Sequence, residues 1–299
     1  MNNFIRKSFT LIELLVVIAI IGILSGLIIV GMNGMSQKAT IAKVQIFSNS
    51  LRNSLMLNIV GEWKFDGSGV IDGGYATSTY TQDTWNGGIS GTIHGTPLVY
   101  SGSNCINGSC LFFNGSSDYI TYTPIHFNDL SPYTYSAWVK WGAAAPAATS
   151  PFGASYCSSN VWFYVGLNFA HRAYGSGSSQ TITGSNIGVV FNNNWHNIVW
   201  TVDSSRNMKL FVDGIQNGNT TVISTTTEAY YSSIGAGYHC SSPNYLWNGY
   251  IDEVRVFNAP LPTSQIKEQY YAGLNRLLAN GGITKEEYIE RSFVLALGN

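Results

Sequence analysis

Charge is scarce in this chain of 299 residues. Asp, Glu, Lys and Arg make up 10% of it, against roughly 25% in an average soluble domain. The shortage is uneven. Residues 1–60 carry five basic side chains (Arg6, Lys7, Lys38, Lys43, Arg52) and one acid, Glu13, while the remainder carries ten basic and 15 acidic residues. A mildly acidic remainder with no basic cluster argues against nucleic acid as a partner. Histidine is also sparse, with five scattered copies, and no Ser-His-Asp set can be assembled from them. Glycan hydrolysis requires two carboxylates on one strand face, and the pattern Glu-x-Asp-x-x-Glu that would supply them does not occur. Asp252 and Glu253 are adjacent, and strand alternation sends adjacent side chains to opposite faces. No catalytic residue is therefore assigned, and the expectation is a protein that is not an enzyme. Cysteine is limited to Cys105, Cys110, Cys157 and Cys240.

What is present begins with one long apolar run. Between Leu14 and Gln37 no residue is charged, and Leu, Ile, Val, Ala and Met dominate, with Gly22, Gly26, Gly31 and Gly34 interspersed. About 20 such residues suffice to span a bilayer as a helix, and Arg6 and Lys7 favour a cytoplasmic N-terminus. A signal peptide or simple anchor is the plainer reading. A signal peptide, however, has a shorter apolar core followed by a small-x-small cleavage site. Here the pattern continues through residues 37–59, where Ile41, Val44, Phe47, Leu51, Leu55 and Ile59 recur at three- or four-residue spacing. The spacing predicts one helix over 9–60, membrane-spanning and then amphipathic. A carboxylate at the mouth of such a helix is costly and needs a reason.

The phrase Lys7-Ser8-Phe9-Thr10-Leu11-Ile12-Glu13-Leu14-Leu15-Val16 and its apolar continuation resemble the class III signal of type IV prepilins and type II secretion pseudopilins. The resemblance implies a leader of residues 1–8, cut by a prepilin peptidase between Ser8 and Phe9. Members of the family usually have Gly where this chain has Ser8. Phe9 would become an N-methylated mature terminus and Glu13 the assembly glutamate. The implied partners are copies of the same chain in a homo-oligomeric filament, or other pilins. The implied location is the cytoplasmic membrane before assembly and an extracellular pilus or cell surface after it.

From Gly61 the periodicity changes to two. Tyr133, Tyr135, Ala137, Val139 and Trp141 alternate with polar or outward residues, as do Met208, Leu210 and Val212 ahead of the turn pair Asp213-Gly214. Short strands with Gly, Asn and Ser turns predict an antiparallel β-sandwich. After Pro262, Thr263 or Ser264 can cap a helix bearing Tyr270, Leu274, Leu277 and Leu278. Thr284 with Glu287 forms a capping box for a closing helix with Tyr288, Phe293 and Leu297. The predicted class is thus α+β: a long N-terminal α-helix, then an antiparallel β-sandwich, then short C-terminal helices.

Ordered phrases, among them Glu62-Trp63-Lys64-Phe65-Asp66, Leu111-Phe112-Phe113-Asn114-Gly115, Asn194-Trp195-His196-Asn197 and Tyr250-Ile251-Asp252-Glu253-Val254, resemble the laminin G-like, concanavalin A-like jelly roll. The resemblance spans 61–272 and leaves a helical tail, 273–299, outside it. It implies a domain that binds carbohydrate or protein. It also implies a structural calcium ion with Asp66 and Asp252 as ligands; the alternative is that both acids accept hydrogen bonds from turn amides.

An even number of cysteines in an exported domain favours disulfides. Cys105 and Cys110 bracket a turn-like loop and are paired, which leaves Cys157 with Cys240. The rival, a zinc site, has His239 beside Cys240 as its one hint, without the spacing such sites use. If the second bridge forms, Tyr156, Trp162, Tyr174, Tyr238, Tyr245 and Trp247 gather at one rim as candidate ligand-binding aromatics. Their plainer role is packing against neighbouring subunits.

Three functions follow for comparison. The first is a type IV pilin-like filament subunit displaying its head for adhesion. The second is a minor pilin or pseudopilin of a secretion or DNA-uptake machine. The third is a membrane-tethered glycan hydrolase.

Overall fold

The computed structural model describes residues 11–12, 14–22, 58–67, 72–85, 89–123, 125, 131–142, 149–156, 159–166, 169–174, 178–182, 187–222, 231–239 and 242–297. The chain forms two compact units, Met1–Ser50 and Leu51–Asn299. In the first unit, residues 11–12 and 14–22 are helical and their large apolar side chains are exposed. Among the described residues, no helix is long and apolar enough to cross a membrane. Ser8, Phe9, Glu13 and most of the expected span lie outside the described residues.

The expected helix over 9–60 overreaches at its end. Ile59 and Val60 open a strand, Ile59–Trp63, that pairs antiparallel with the last strand, Asn248–Phe257. Two consecutive β-branched residues favour the extended chain, and a partner strand decides the outcome. Helical spacing at Leu55 and Ile59 carries no knowledge of that partner.

The second unit is a two-sheet sandwich. One sheet has nine strands among the described residues. Its main path runs Ile215–Gln216, Asn207–Val212, Trp195–Val202, Tyr133–Trp141, Asn248–Phe257, Ser109–Asn114, Leu98–Ser101. The other has seven, in the order Ser178–Ile182, Phe169–Tyr174, Ser159–Gly166, Thr149–Tyr156, Tyr231–Ile234, Tyr119–Tyr122, Gly91–His94. All described pairings are antiparallel. Sheet neighbours such as Asn248–Phe257 and Tyr133–Trp141 are far apart in sequence, so the sheet closes through long-range ladders.

Alternation then sorts side chains into two layers. Tyr135, Ala137, Val139 and Trp141 enter the core between the sheets with Ile198, Trp200, Met208, Leu210, Val254 and Val256. The opposite face of the nine-stranded sheet is covered by the C-terminal helices α1 (Thr263–Asn280) and α2 (Lys285–Leu297). There Trp138, Trp195, Cys105, Ile106 and Cys110 pack with Tyr270, Leu274, Leu277, Ile283 and Leu295 in a second core.

The helices differ from expectation in three details. Helix α1 is preceded by Pro262 with no side-chain cap; neither Thr263 nor Ser264 caps it, because both are already inside the helix. The expected boundary at 272/273 falls in the middle of α1. Gly273 lies there against the Trp138 indole, where a Cβ would come within 2.2 Å of the ring. On α2, Leu295 is buried while Phe293 and Leu297 are exposed, because the sheet meets the other side of the helix. The Thr284 capping bond forms as expected, from the Glu287 amide to the Thr284 hydroxyl at 3.1 Å.

Candidate functional site

The two acids expected to bind metal flank one loop. Cys105 and Cys110 are disulfide-bonded and fully buried, and they close a short ring, Ile106-Asn107-Gly108-Ser109. Gly108 has φ +56°, and a Cβ there would sit 2.0 Å from an Asp66 oxygen, so the ring needs glycine twice over. Asp252 is fully buried and accepts the amides of Ile106 at 2.9 Å and Asn107 at 3.3 Å on Oδ2, and that of Glu253 at 2.7 Å on Oδ1. Asp66 Oδ1 accepts the Ser109 amide at 2.8 Å. Burial and the neighbouring Glu253 push the Asp252 carboxyl well up from its usual range. A calcium ion needs oxygen atoms turned toward one point. These oxygens are turned toward N–H donors instead. The pair does not fit a cation site, and among the described residues no group of three or more His, Cys, Asp or Glu side chains could hold a metal.

Asp252 and Glu253 do not alternate faces. Asp252 pairs with Trp138 and Arg255 with Ser136, so the strand carries one extra residue there. Glu253 has φ +50°. This is a β-bulge. Ile251 and Val254 both enter the main core, and the two acids between them are both buried. The bulge aims Glu253 at Arg255 and Arg276. Arg255 also binds Glu62 at 2.9 Å, and Lys64 lies 3.5 Å from Glu62. Burial alone would raise the Glu62 pKa, but Arg255 and Lys64 outweigh it and hold the carboxyl at about 2. Two buried acids and their cations thus fasten the first strand, the last strand and α1 together.

A cleft of about 350 Å³ opens between the sheet and α2, lined by His196, Asp213, Tyr270, Glu287, Glu290 and Arg291 among others. His196 Nδ1 is 2.7 Å from Asp213 Oδ2, and Nε2 is 2.9 Å from Asn192 Oδ1. Arg291 donates to the Trp195 carbonyl at 2.7 Å and pairs with Glu287 at 2.6 Å. These groups are engaged with one another in fixing α2 to the sheet, and His196 serves that contact.

Of the six aromatic residues expected at one rim, the side chains of Tyr245 and Trp247 are described. Trp247 is fully buried, edge-on to Trp141 with ring centroids 5.0 Å apart; it lies in the short connection before the last strand and joins the main core from there. Tyr245 is 41% exposed. Tyr156, Trp162 and Tyr174 are in strands, not loops, and Tyr238 belongs to a small hairpin, Gly237–His239 with Ser242–Asn244. Their side chains lie outside the described residues, as do Cys157 and Cys240.

A different aromatic row, absent from the sequence reading, crosses the helix-covered face. Phe112 pairs with Tyr250, Tyr250 with Lys140, and Lys140 with Trp195. Tyr100 joins it, its ring 5.1 Å from Tyr250 and 6.3 Å from Phe112. The Lys140 ammonium stands 5.4 Å from the centre of the Tyr250 ring. Phe112, Tyr250, Lys140 and Tyr100 are half-buried. The signal was present as alternation: Phe112, facing away from the core-facing Leu111 and Phe113, shares a face with Tyr250.

Comparison with solved structures returns the same sandwich. Domain 4 of AbnA, an extracellular arabinanase of Geobacillus stearothermophilus solved in complex with arabinotriose, matches with a TM-score of 0.53 at 20% identity, covering 70% of this chain and 97% of that one. The binding domain of botulinum neurotoxin serotype D matches with a TM-score of 0.53 at 13% identity, covering 74% of this chain and 53% of that one. The binding domain of Paraclostridial Mosquitocidal Protein 1 gives 0.53 at 10% identity, with 74% and 53% covered. The chain therefore spans about half the length of the two toxin domains. At such identities the likeness establishes fold alone. No curated protein sequence matches the chain. The prokaryotic N-terminal methylation motif matches residues 5–29, and with residues 114–267 matching its family model, the chain belongs to the concanavalin A-like lectin/glucanases superfamily.

Proposed function

We propose that this protein is a type IV pilin-like filament subunit whose β-sandwich head makes adhesive contact with carbohydrate or protein outside the cell. The observation that carries the reading is the union of two parts in one chain: a methylation motif at 5–29 that contains Glu13, and a concanavalin A-like head at 114–267. The motif implies a precursor cut by a prepilin peptidase and assembled with other pilins. An unpaired carboxylate in a low-dielectric bundle costs several kcal/mol, and so does an unpaired ammonium. Glu13 and the Phe9 amine of a neighbouring copy each offset the other's cost, which fixes the axial register of packed helices. Binding rather than turnover is supported by the structural neighbours, which are a domain solved with arabinotriose and two toxin binding domains.

The test is Glu13→Ala in cells that make the filament. Sheared surface material should lose the protein while the membrane fraction retains it. Mass spectrometry of wild-type filaments should find N-methylated Phe9 as the first residue. Unchanged filament yield from Glu13→Ala would sink the assembly role. A trace amount in filaments built chiefly of another subunit would make the protein a minor pilin.

A further inference from the structure

The helices cover the nine-stranded sheet incompletely, and the uncovered part has a specific chemistry. Across that face the sheet presents successive rows of side chains. One row holds Asp252 beside Trp138. It is sealed by α1, whose Tyr270 stacks on Trp138 at 5.5 Å, and by the disulfide-closed ring above Asp252. Two residues further along each strand lies the row Phe112, Tyr250, Lys140 and Trp195. Trp195 at one end is buried against the helices and Tyr250 and Tyr100 pack at the edge of that core, but Phe112, Tyr250 and Lys140 stay half-exposed among the described residues.

We infer that this row is a saccharide platform, and that the sugar it takes is acidic. The inference rests on the adhesive reading of the head and names the ligand class and its site. Lys140 is the deciding residue. Among the described residues no carboxylate lies within ion-pair distance of it, and its described contact is the face of Tyr250. Half-burial lowers its pKa from the usual lysine value, the mark of a cation partly stripped of water. Asp252 in the neighbouring row is satisfied by three backbone amides, whereas Lys140 meets no anion among the described residues. A ligand carboxylate would supply the missing partner through a charge-assisted hydrogen bond.

The surroundings suit the rest of a sugar. Phe112 and Tyr100 offer apolar ring surface to the C–H side of a pyranose. At the far end from Lys140, Asp72 is exposed and accepts the Ser101 hydroxyl at 3.1 Å, giving an acceptor for sugar hydroxyls. The row therefore runs from a cation, across rings, to an acceptor. A neutral glucan would satisfy the rings and the acceptor but leave Lys140 unmatched.

The test uses the full chain in detergent micelles and two immobilised probes, polygalacturonate and its carboxyl-reduced form. The wild type should bind polygalacturonate at least about tenfold more tightly than the reduced polymer, the factor expected of one charged hydrogen bond. Lys140→Gln, a substitution at a half-exposed position, should equalise the two. Phe112→Ala should weaken both. Circular dichroism and the melting temperature confirm that each variant is folded. Equal wild-type affinity for the two polymers, or no binding to either, overturns the inference. Wild-type behaviour in both Lys140→Gln and Phe112→Ala also overturns it. That last result leaves the adhesive reading standing with another site, whereas failure of filaments to attach to any surface removes the adhesive reading itself.

Discussion

The amide of Ile106 donates to the carboxylate of Asp252 at 2.9 Å, across 146 positions of sequence. Asn107 and Glu253 add their amides to the same side chain. One carboxylate thus supplies the acceptors for three backbone groups, two of them buried. Asp252→Asn places an N–H₂ where at least one of those donors points. The unfolding free energy should fall by about 2 kcal/mol, the cost of an unsatisfied buried group, read from the urea midpoint. EDTA should leave the wild-type midpoint where it is. A chelator-sensitive midpoint would mean that a cation, not amides, holds the loop.

The disulfide ring and Asp252 should act as one unit. Replacing Cys105 and Cys110 by Ser loosens a ring of about six residues, worth about 2 kcal/mol on a chain-entropy basis. Adding Asp252→Asn to that pair should cost less than it does alone, because a loosened ring no longer presents its amides. Residues in contact depart from additivity by about 0.5–3 kcal/mol. Strict additivity in a double-mutant cycle would separate the two.

Acid should unfold the head partly through Glu62. Its pKa is 4.5 in an unfolded reference and about 2 in the fold. A lowered pKa contributes stability above the unfolded value and loses it as pH falls toward the folded value. The loss develops between about pH 4.5 and pH 2 and is on the order of 3 kcal/mol. Asp252, pushed up by burial and by Glu253, has the opposite sign: what it contributes is present in acid and lost as pH rises. Subtracting a Glu62→Gln titration from the wild type isolates the first effect. Parallel curves for the two proteins below pH 4.5 would refute it.

Gly273→Ala inverts a general rule. In an exposed helix interior, Ala exceeds Gly by about 1 kcal/mol. Here the new methyl would meet the Trp138 ring at 2.2 Å, and α1 would have to lift from its stack. A loss of about 2 kcal/mol is expected from overpacking. A more stable Gly273→Ala protein would show that α1 is not seated on Trp138.

Legibility in the sequence followed the range of each interaction. Alternation marked Tyr135, Val139, Leu210 and Val212, all of which lie in the core, because burial of one face leaves a local, two-residue mark. The Cys105–Cys110 bridge was legible for the same reason, its partners being five positions apart. The bulge at Glu253 was not, since one extra residue in a ladder depends on the partner strand. Nor was the strand at Ile59, whose partner is Phe257. Trp247 failed differently. With Tyr245 two positions before it and Asn248-Gly249 after it, the residue reads as a loop aromatic, and the chain turns it inward onto Trp141. The platform residues were each visible, but their adjacency across Phe112, Tyr250 and Lys140 exists in the sheet alone.

The pairing of the first strand with the last also sets how the head carries tension. The chain enters at Asn58, beside Phe257, while Tyr250 lies toward the opposite end of the last strand. A pull between Asn58 and Tyr250 draws the two strands past each other lengthwise. Their hydrogen bonds then resist together, in shear, instead of opening one after another like a zip. The Arg255 bridge from Glu62 to Glu253 sits in the middle of that seam and acts as a rivet against sliding.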